Sequence, residues 1–309
     1  MVVVTPKVII ESSANVVPPE WNSQFARTRP MKTTVPSRTA HFVALGRALA
    51  DAGLSHIPDF HDRTARVFLN AKGKKSLAKT EEAARGKGGI KIEMARAMAD
   101  MIGLRTVAID AAVRQAIANE ATQLVILGAG YDGRAWRMAE LAGVRVFEVD
   151  HPATQNDKRA HVSALPPAIG QVNFVSINFE KQSLDDVLDR AKHDRASPTC
   201  WIWEGVVMYL SRDAMRATLA GIAKRSAPGS TLIVNYHTLH RRFLARLIFR
   251  LIGEPQISAW TPAQMADDLR NVGFVVREDS GMLDWNTRFT QGKANVGRGA
   301  YMRIAIAQR

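Results

Sequence analysis

Three carboxylates and a glycine turn carry the chemistry legible in this chain. Gly128, Ala129 and Gly130 follow four consecutive apolar residues, Leu124 to Leu127. An apolar run without alternation that ends in glycine reads as a buried parallel strand entering a turn where backbone can approach a ligand closely. About 20 residues on, a second apolar run ends in Glu148 and Asp150, where a carboxylate can accept two ribose hydroxyls. Asp150 is the candidate for that role; Glu148 is expected inside the strand as a structural residue. Thr199 to Trp203 ends on Glu204, at the edge where open α/β sheets bind ligands. Phe174 to Ile177 ends at Asn178 and Phe179, an amide that can hydrogen-bond an adenine edge and a ring that can pack on its face.

Two ligand classes fit a strand, glycine turn, helix, strand and acid. Gly128, Gly130 and Gly133 satisfy G-x-G-x-x-G, which permits NAD and an oxidoreductase, although the pattern alone is weak. Asp132 lies inside the loop, where a dinucleotide would place its pyrophosphate, and the two charges would repel. A sulfonium and ammonium ligand without phosphate, S-adenosylmethionine, suits that aspartate better. A dinucleotide site would also normally open its domain, whereas about 120 residues precede this loop.

The surrounding elements must position these groups. Prolines at 6, 18, 19, 30 and 36 mark residues 1–36 as an extended arm. SRTAHFVALGRALADAG, from Ser37, places Phe42, Leu45, Leu49 and Ala52 on one helix face and stops at Gly53. A second helix is expected over Asp59 to Leu69, a basic loop over 70–90, a third helix over Ile90 to Met101 and a fourth over Val107 to Asn119. Pro152 opens another helix, and Ser211 to Arg225 is amphipathic. Ser230 to Tyr236 is the fifth strand. Thr261-Pro262 begins a capped helix ending at Gly273, and Phe274 to Arg277 and Ala300 to Ala307 supply two last strands around a long polar loop.

LGAGYDGRAWR, FEVDHP and WEGVVMYL resemble, in order and spacing, the three signature segments of the leucine carboxyl methyltransferase family and its bacterial relatives, which include polyketide O-methyltransferases. The similarity runs from about Ser37 to the end of the chain. It implies an α/β fold with the seven-stranded class I methyltransferase (Rossmann-like) sheet, whose last strand inserts antiparallel. The implied organisation is the arm 1–36, a helical cap over 37–120, and an S-adenosylmethionine domain over 121–309 with a helical insertion near 237–260. It further implies O-methylation of a small-molecule carboxylate or phenolic hydroxyl, such as a polyketide-like secondary metabolite. The family also modifies protein C-termini, and a related branch modifies a tRNA base side chain.

By the same resemblance, Arg105 meets the donor's carboxylate, with Arg47 or Arg38 as a second cation. Glu204 pairs with its ammonium, and Gly128 and Gly130 give the backbone approach. The family has an acid where this chain has Asn178, a departure at the adenine site. Tyr209 could line the acceptor pocket or simply pack. A carboxylate acceptor is ionised at pH 7 and needs no base, whereas a phenol does; His237, His240 and His151 are the candidates, His237 foremost.

The totals set bounds. A chain of 309 residues, 46% hydrophobic and 23% charged, suits one large globular domain. No apolar run approaches the roughly 18 residues of a membrane span, and the N-terminus lacks a signal pattern, so a cytoplasmic protein is expected. The single Cys200 sits in an apolar CWIW run and reads as buried and inert. A net charge of +13 without a nucleic-acid module suits an anionic acceptor or an acidic carrier protein. The basic stretch HTLHRRFLARLIFRLIG has the pattern of a membrane-surface helix, but is expected to complete the acceptor pocket. Neither C-x-x-C nor H-E-x-x-H occurs, so no metal is expected.

Overall fold

The computed structural model describes residues 37–86, 89–178, 182–238, 258–296 and 301–309. Seven strands form one sheet: β1 (Gln123–Leu127), β2 (Arg145–Asp150), β3 (Gln171–Ser176), β4 (Thr199–Trp203), β5 (Thr231–His237), β6 (Val275–Gly281) and β7 (Met302–Gln308). Their spatial order is β3-β2-β1-β4-β5-β7-β6. The first five are parallel, and β7 runs antiparallel between β5 and β6. Strand order therefore reverses between β1 and β4, and a crevice forms at the carboxyl ends of those strands, the usual ligand site of open α/β sheets.

The unbroken apolar runs follow from burial on both faces. Leu124 and Ile126 of β1 join a core with the N-terminal helices, while Val125 and Leu127 join one with the helices of the opposite face. The first layer holds α1 (Arg38–Leu49), α2 (Thr64–Val67), α3 (Ala71–Ala84), α4 (Ile90–Ala118) and α10 (Met282–Thr290). Short α5 (Arg134–Arg137) follows the glycine turn, and α6 (Pro152–Val162) follows β2. The second face is covered by α7 (Leu184–Arg190), α8 (Arg212–Lys224) and α9 (Pro262–Arg270).

The seven strands lie where expected, although β3 begins three residues earlier and β6 runs four residues further; the stop at Gly53 and the Ser211 and Thr261 caps match expectation. Several helices do not. Residues 71–84 are helical rather than a loop, because Asn70 accepts the Gly73 N–H (2.8 Å) as an N-cap and the Lys, Ala and Glu that follow favour helix. The third and fourth helices are one, since Gly103 stays helical and lets α4 pack closely; a Cβ there would stand 2.7 Å from Ile57 Cδ1. The second helix shrinks to Thr64–Val67, and Phe42 is 47% exposed rather than on the packed face. Within the long polar loop lies α10, whose Asp284 accepts the Gly281 N–H (2.8 Å) while Met282 and Trp285 bury one face. The arm 1–36 and most of the 237–260 insertion lie outside the described residues.

Candidate functional site

The site begins with the turn after β1. Gly128 and Gly130 have φ of +67° and +49°, a region side-chain-bearing residues rarely adopt. A Cβ on Gly128 would also meet Val206 Cγ2 at 2.3 Å, so the turn closes against the segment after β4 only as glycine. The Gly128 N–H donates to Val149 O (2.8 Å), which ties the turn to β2.

Asp150, at the end of β2, accepts the N–H groups of Gly130 (2.5 Å) and His151 (2.6 Å). Burial raises its pKa despite these two bonds. Two backbone donors fix the carboxylate's orientation while leaving it acceptor capacity for a ligand. Asn178 lies just beyond β3, beside this edge: Ile177 N–H donates to Asp150 O (2.9 Å), and Asn178 N–H donates to Gln182 Oε1 (2.9 Å). Phe179 lies outside the described residues.

Glu204 and Arg105 meet. Arg105 Nε stands 2.7 Å from Glu204 Oε1, and Arg134 Nη1 stands 3.2 Å from Glu204 Oε2. Arg105 is only 5% exposed although it sits in the middle of α4. A nearly dry cation and anion side by side complement the adjacent carboxylate and ammonium of an amino-acid moiety.

Beneath the turn lies a network that sequence reasoning missed. Arg134 Nε donates to Asp110 Oδ1 (2.8 Å), and Arg137 Nη1 to Asp110 Oδ2 (2.6 Å). Burial opposes ionisation of Asp110, yet Arg137 and Arg134 outweigh it and hold its pKa at about 2. Arg47 donates to Asp62 Oδ2 (2.7 Å), and Lys158 Nζ stands 2.5 Å from Glu148 Oε2 with both side chains 1% exposed. Burial pushes Glu148 up to about 7 against the pull of Lys158. One signal could have found this last pair. An acid inside a strand buried on both faces demands a buried partner.

Three of the side chains singled out in the sequence are engaged by neighbours. The Asp132 carboxylate accepts the Arg134 N–H (2.8 Å) and pairs with that guanidinium. Burial would raise its pKa, but Arg134, Lys158 and Arg47 lower it, so the loop bears no free negative charge at that residue. Arg47 is committed to Asp62 and the Tyr131 carbonyl instead of a second carboxylate contact, and Arg38 is exposed. His151 caps α6, its Nδ1 accepting the Ala153 N–H (3.3 Å), so that nitrogen is engaged by backbone.

His237 ends β5 and is 5% exposed, with its ring edge-on to Tyr301 at 4.9 Å. Its carbonyl accepts the Trp260 N–H (3.0 Å). Tyr209 lies half-buried in the 3₁₀ turn Val207–Tyr209 after Glu204. His240 lies outside the described residues. Cys200 is fully buried, and burial pushes its thiol up to about 12, as expected of an inert side chain. Among the described residues no cluster of His, Cys, Asp and Glu could hold a metal, and no helix is long and apolar enough to cross a membrane.

Comparison with known proteins bears on the family and the fold. The chain is 35% identical over 173 residues to a Streptomyces coelicolor protein, covering 56% of this chain and 60% of that one. It is 34% identical over 199 residues to a Frankia alni protein, covering 63% and 66%. Both bear the name "Putative S-adenosyl-L-methionine-dependent methyltransferase". The matched stretches thus span about 60% and 66% of those relatives' lengths. Among solved structures, a DUF574 family protein from Streptomyces avermitilis superposes with TM-score 0.55 at 13% identity, covering 85% of this chain and 96% of that one. A Thermobifida fusca protein does so with TM-score 0.51, also at 13%, covering 90% and 96%; these two show the fold alone. A family profile described as leucine carboxyl methyltransferase matches residues 40–223, more than half of the 309-residue chain, and the protein belongs to that family.

Proposed function

We propose that the protein is an S-adenosylmethionine-dependent O-methyltransferase acting on a small-molecule carboxylate or phenolic hydroxyl, such as a polyketide-like secondary metabolite. The observation that supports this best is the buried Arg105–Glu204 pair, 2.7 Å apart, beside the glycine turn and Asp150. Those residues fit the cofactor: Asp150 would accept the ribose hydroxyls, Arg105 would hold the methionine carboxylate and Glu204 its ammonium. Gly128 and Gly130 would let backbone lie against it, and Asn178, with Phe179, would border the adenine. When bound, S-adenosylmethionine supplies an electrophilic methyl group. The protein's own task is then alignment and exclusion of water.

A carboxylate acceptor arrives ionised and asks only to be oriented, while a phenol must lose a proton. His237, buried at the end of β5, would take that proton, and Tyr209 would line the acceptor's pocket. The basic surface, with net charge +13, suits an anionic acceptor, free or carried on an acidic protein. Isothermal titration with S-adenosylhomocysteine, run beside NAD, tests the reading. Micromolar binding of the first alone is expected; binding of NAD alone overturns it. An acceptor screen starting with aromatic carboxylic acids follows, and H237A should lose activity on phenols while keeping it on carboxylates.

A further inference from the structure

The glycine turn is held from both sides by buried cations that the chemistry above does not use. Arg47, on α1, donates from Nη2 to the Tyr131 carbonyl (2.5 Å). Lys158, on α6, donates from Nζ to the next carbonyl, that of Asp132 (2.6 Å). Each cation is anchored by a buried acid, Asp62 for Arg47 (2.7 Å) and Glu148 for Lys158 (2.5 Å). The Lys158 ammonium also stands over the rings of Trp136 (5.3 Å) and Phe68 (5.6 Å). The side chains are 6% and 1% exposed. Withdrawing two cations from water is costly, so an arrangement that aims both at consecutive backbone carbonyls calls for a reason beyond packing.

Peptide planarity supplies the reason. A carbonyl and the following N–H belong to one plane and point oppositely, so fixing the oxygen fixes the N–H. The plane between Tyr131 and Asp132 is held at both ends: Arg47 takes its oxygen, and its N–H donates to Ala129 O (2.8 Å). The plane between Asp132 and Gly133 is held by Lys158. Upstream, Gly130 N–H is taken by Asp150. We propose that Arg47 and Lys158 are positioning residues for the cofactor turn, a two-sided clamp on the Tyr131 and Asp132 carbonyls that presets its backbone for binding. Arg47 thereby makes the N-terminal helices part of the cofactor site without touching the ligand. The clamp rests on the cofactor reading above for its purpose.

The test uses the full chain carrying R47M, K158M or the charge-retaining R47K. S-adenosylhomocysteine affinity is measured by titration well below each variant's melting temperature, and hydrogen exchange of the 128–134 peptide is followed without ligand. Both methionine variants are expected to bind about tenfold more weakly and to exchange faster in 128–134, while peptides of α8 keep their rates. R47K keeps the charge but loses the planar fork whose two nitrogens reach Asp62 and the carbonyl separately, and should fall between. Affinity within twofold of wild type with unchanged turn exchange overturns the clamp, however far stability drops. If R47M does not fold, R47K decides by the same criteria. If the wild-type protein itself fails to bind, the cofactor reading fails, and exchange of the turn alone judges the clamp.

Discussion

Two buried arginine clusters serve opposite ends of this molecule. Arg225, 1% exposed, donates to Asp185 Oδ1 (2.8 Å), Asp189 Oδ1 (3.2 Å) and the His193 carbonyl (2.8 Å). Its acids reach outward: Asp189 is 64% exposed at its side chain, and Asp185 also pairs with exposed Lys224. That cluster ties α7 to the end of α8. Arg134 is buried as deeply, but so is Asp110, and its third partner Glu204 opens on the crevice. An arginine whose acids face water fastens helices. One buried together with two of its acids, as Arg134 is with Asp110 and Asp132, braces the carboxyl edge of the sheet where the cofactor site is proposed.

The contrast can be broken at four places. The largest effect is expected from D110A, which strands Arg134 and Arg137 without their shared acid. Breaking a buried pair costs about 3–5 kcal/mol, to be read as a loss in urea-unfolding free energy. Because Asp110 is held at about 2, below the ordinary value near 3.9, its contribution is full above pH 4 and lost as pH falls toward 2. The acid-unfolding curve of D110A should lack that component. R225M should cost about 1.5–3 kcal/mol, the worth of hydrogen bonds to charged groups, yet leave S-adenosylhomocysteine affinity within twofold. A large affinity loss there would erase the distinction between the clusters. D150A should do the reverse, weakening binding about tenfold, roughly 1.4 kcal/mol, with the melting temperature nearly unchanged. The smallest effect concerns Cys200, whose buried thiol, pushed up to about 12, should not react with a thiol reagent until the protein is denatured.

Legibility in the sequence followed the range of the forces involved. Strands buried on two faces announce themselves as apolar runs, and a glycine forced to positive φ marks the turn between them, so β1 to β5 and the residues at their ends could be read directly. Helix α3 could not, because its one buried side chain, Leu77, leaves no apolar period to detect. The continuity of α4 through Gly103, between the two expected helices, goes with a close approach to Ile57, far away in sequence. The charge network was hidden for the same reason: Asp62, Asp110 and Lys158 reach the turn only through tertiary packing. Asp132 pointed to the right cofactor, although its charge is paired with Arg134, two residues on.

Strand β7 carries a consequence for how the chain assembles. β6 pairs with β7 and with no other strand among the described residues, while β7 pairs with β5 along seven positions, Thr231 with Gln308 through His237 with Met302. β6 can therefore join the sheet only through β7. Until β7 docks, β5, whose seven residues are all buried in the finished sheet, presents an unpaired edge of the kind that recruits strands from other chains. Contacts spanning this much sequence also form slowly. The interval before docking is thus when nascent or refolding molecules of this protein are most prone to aggregate.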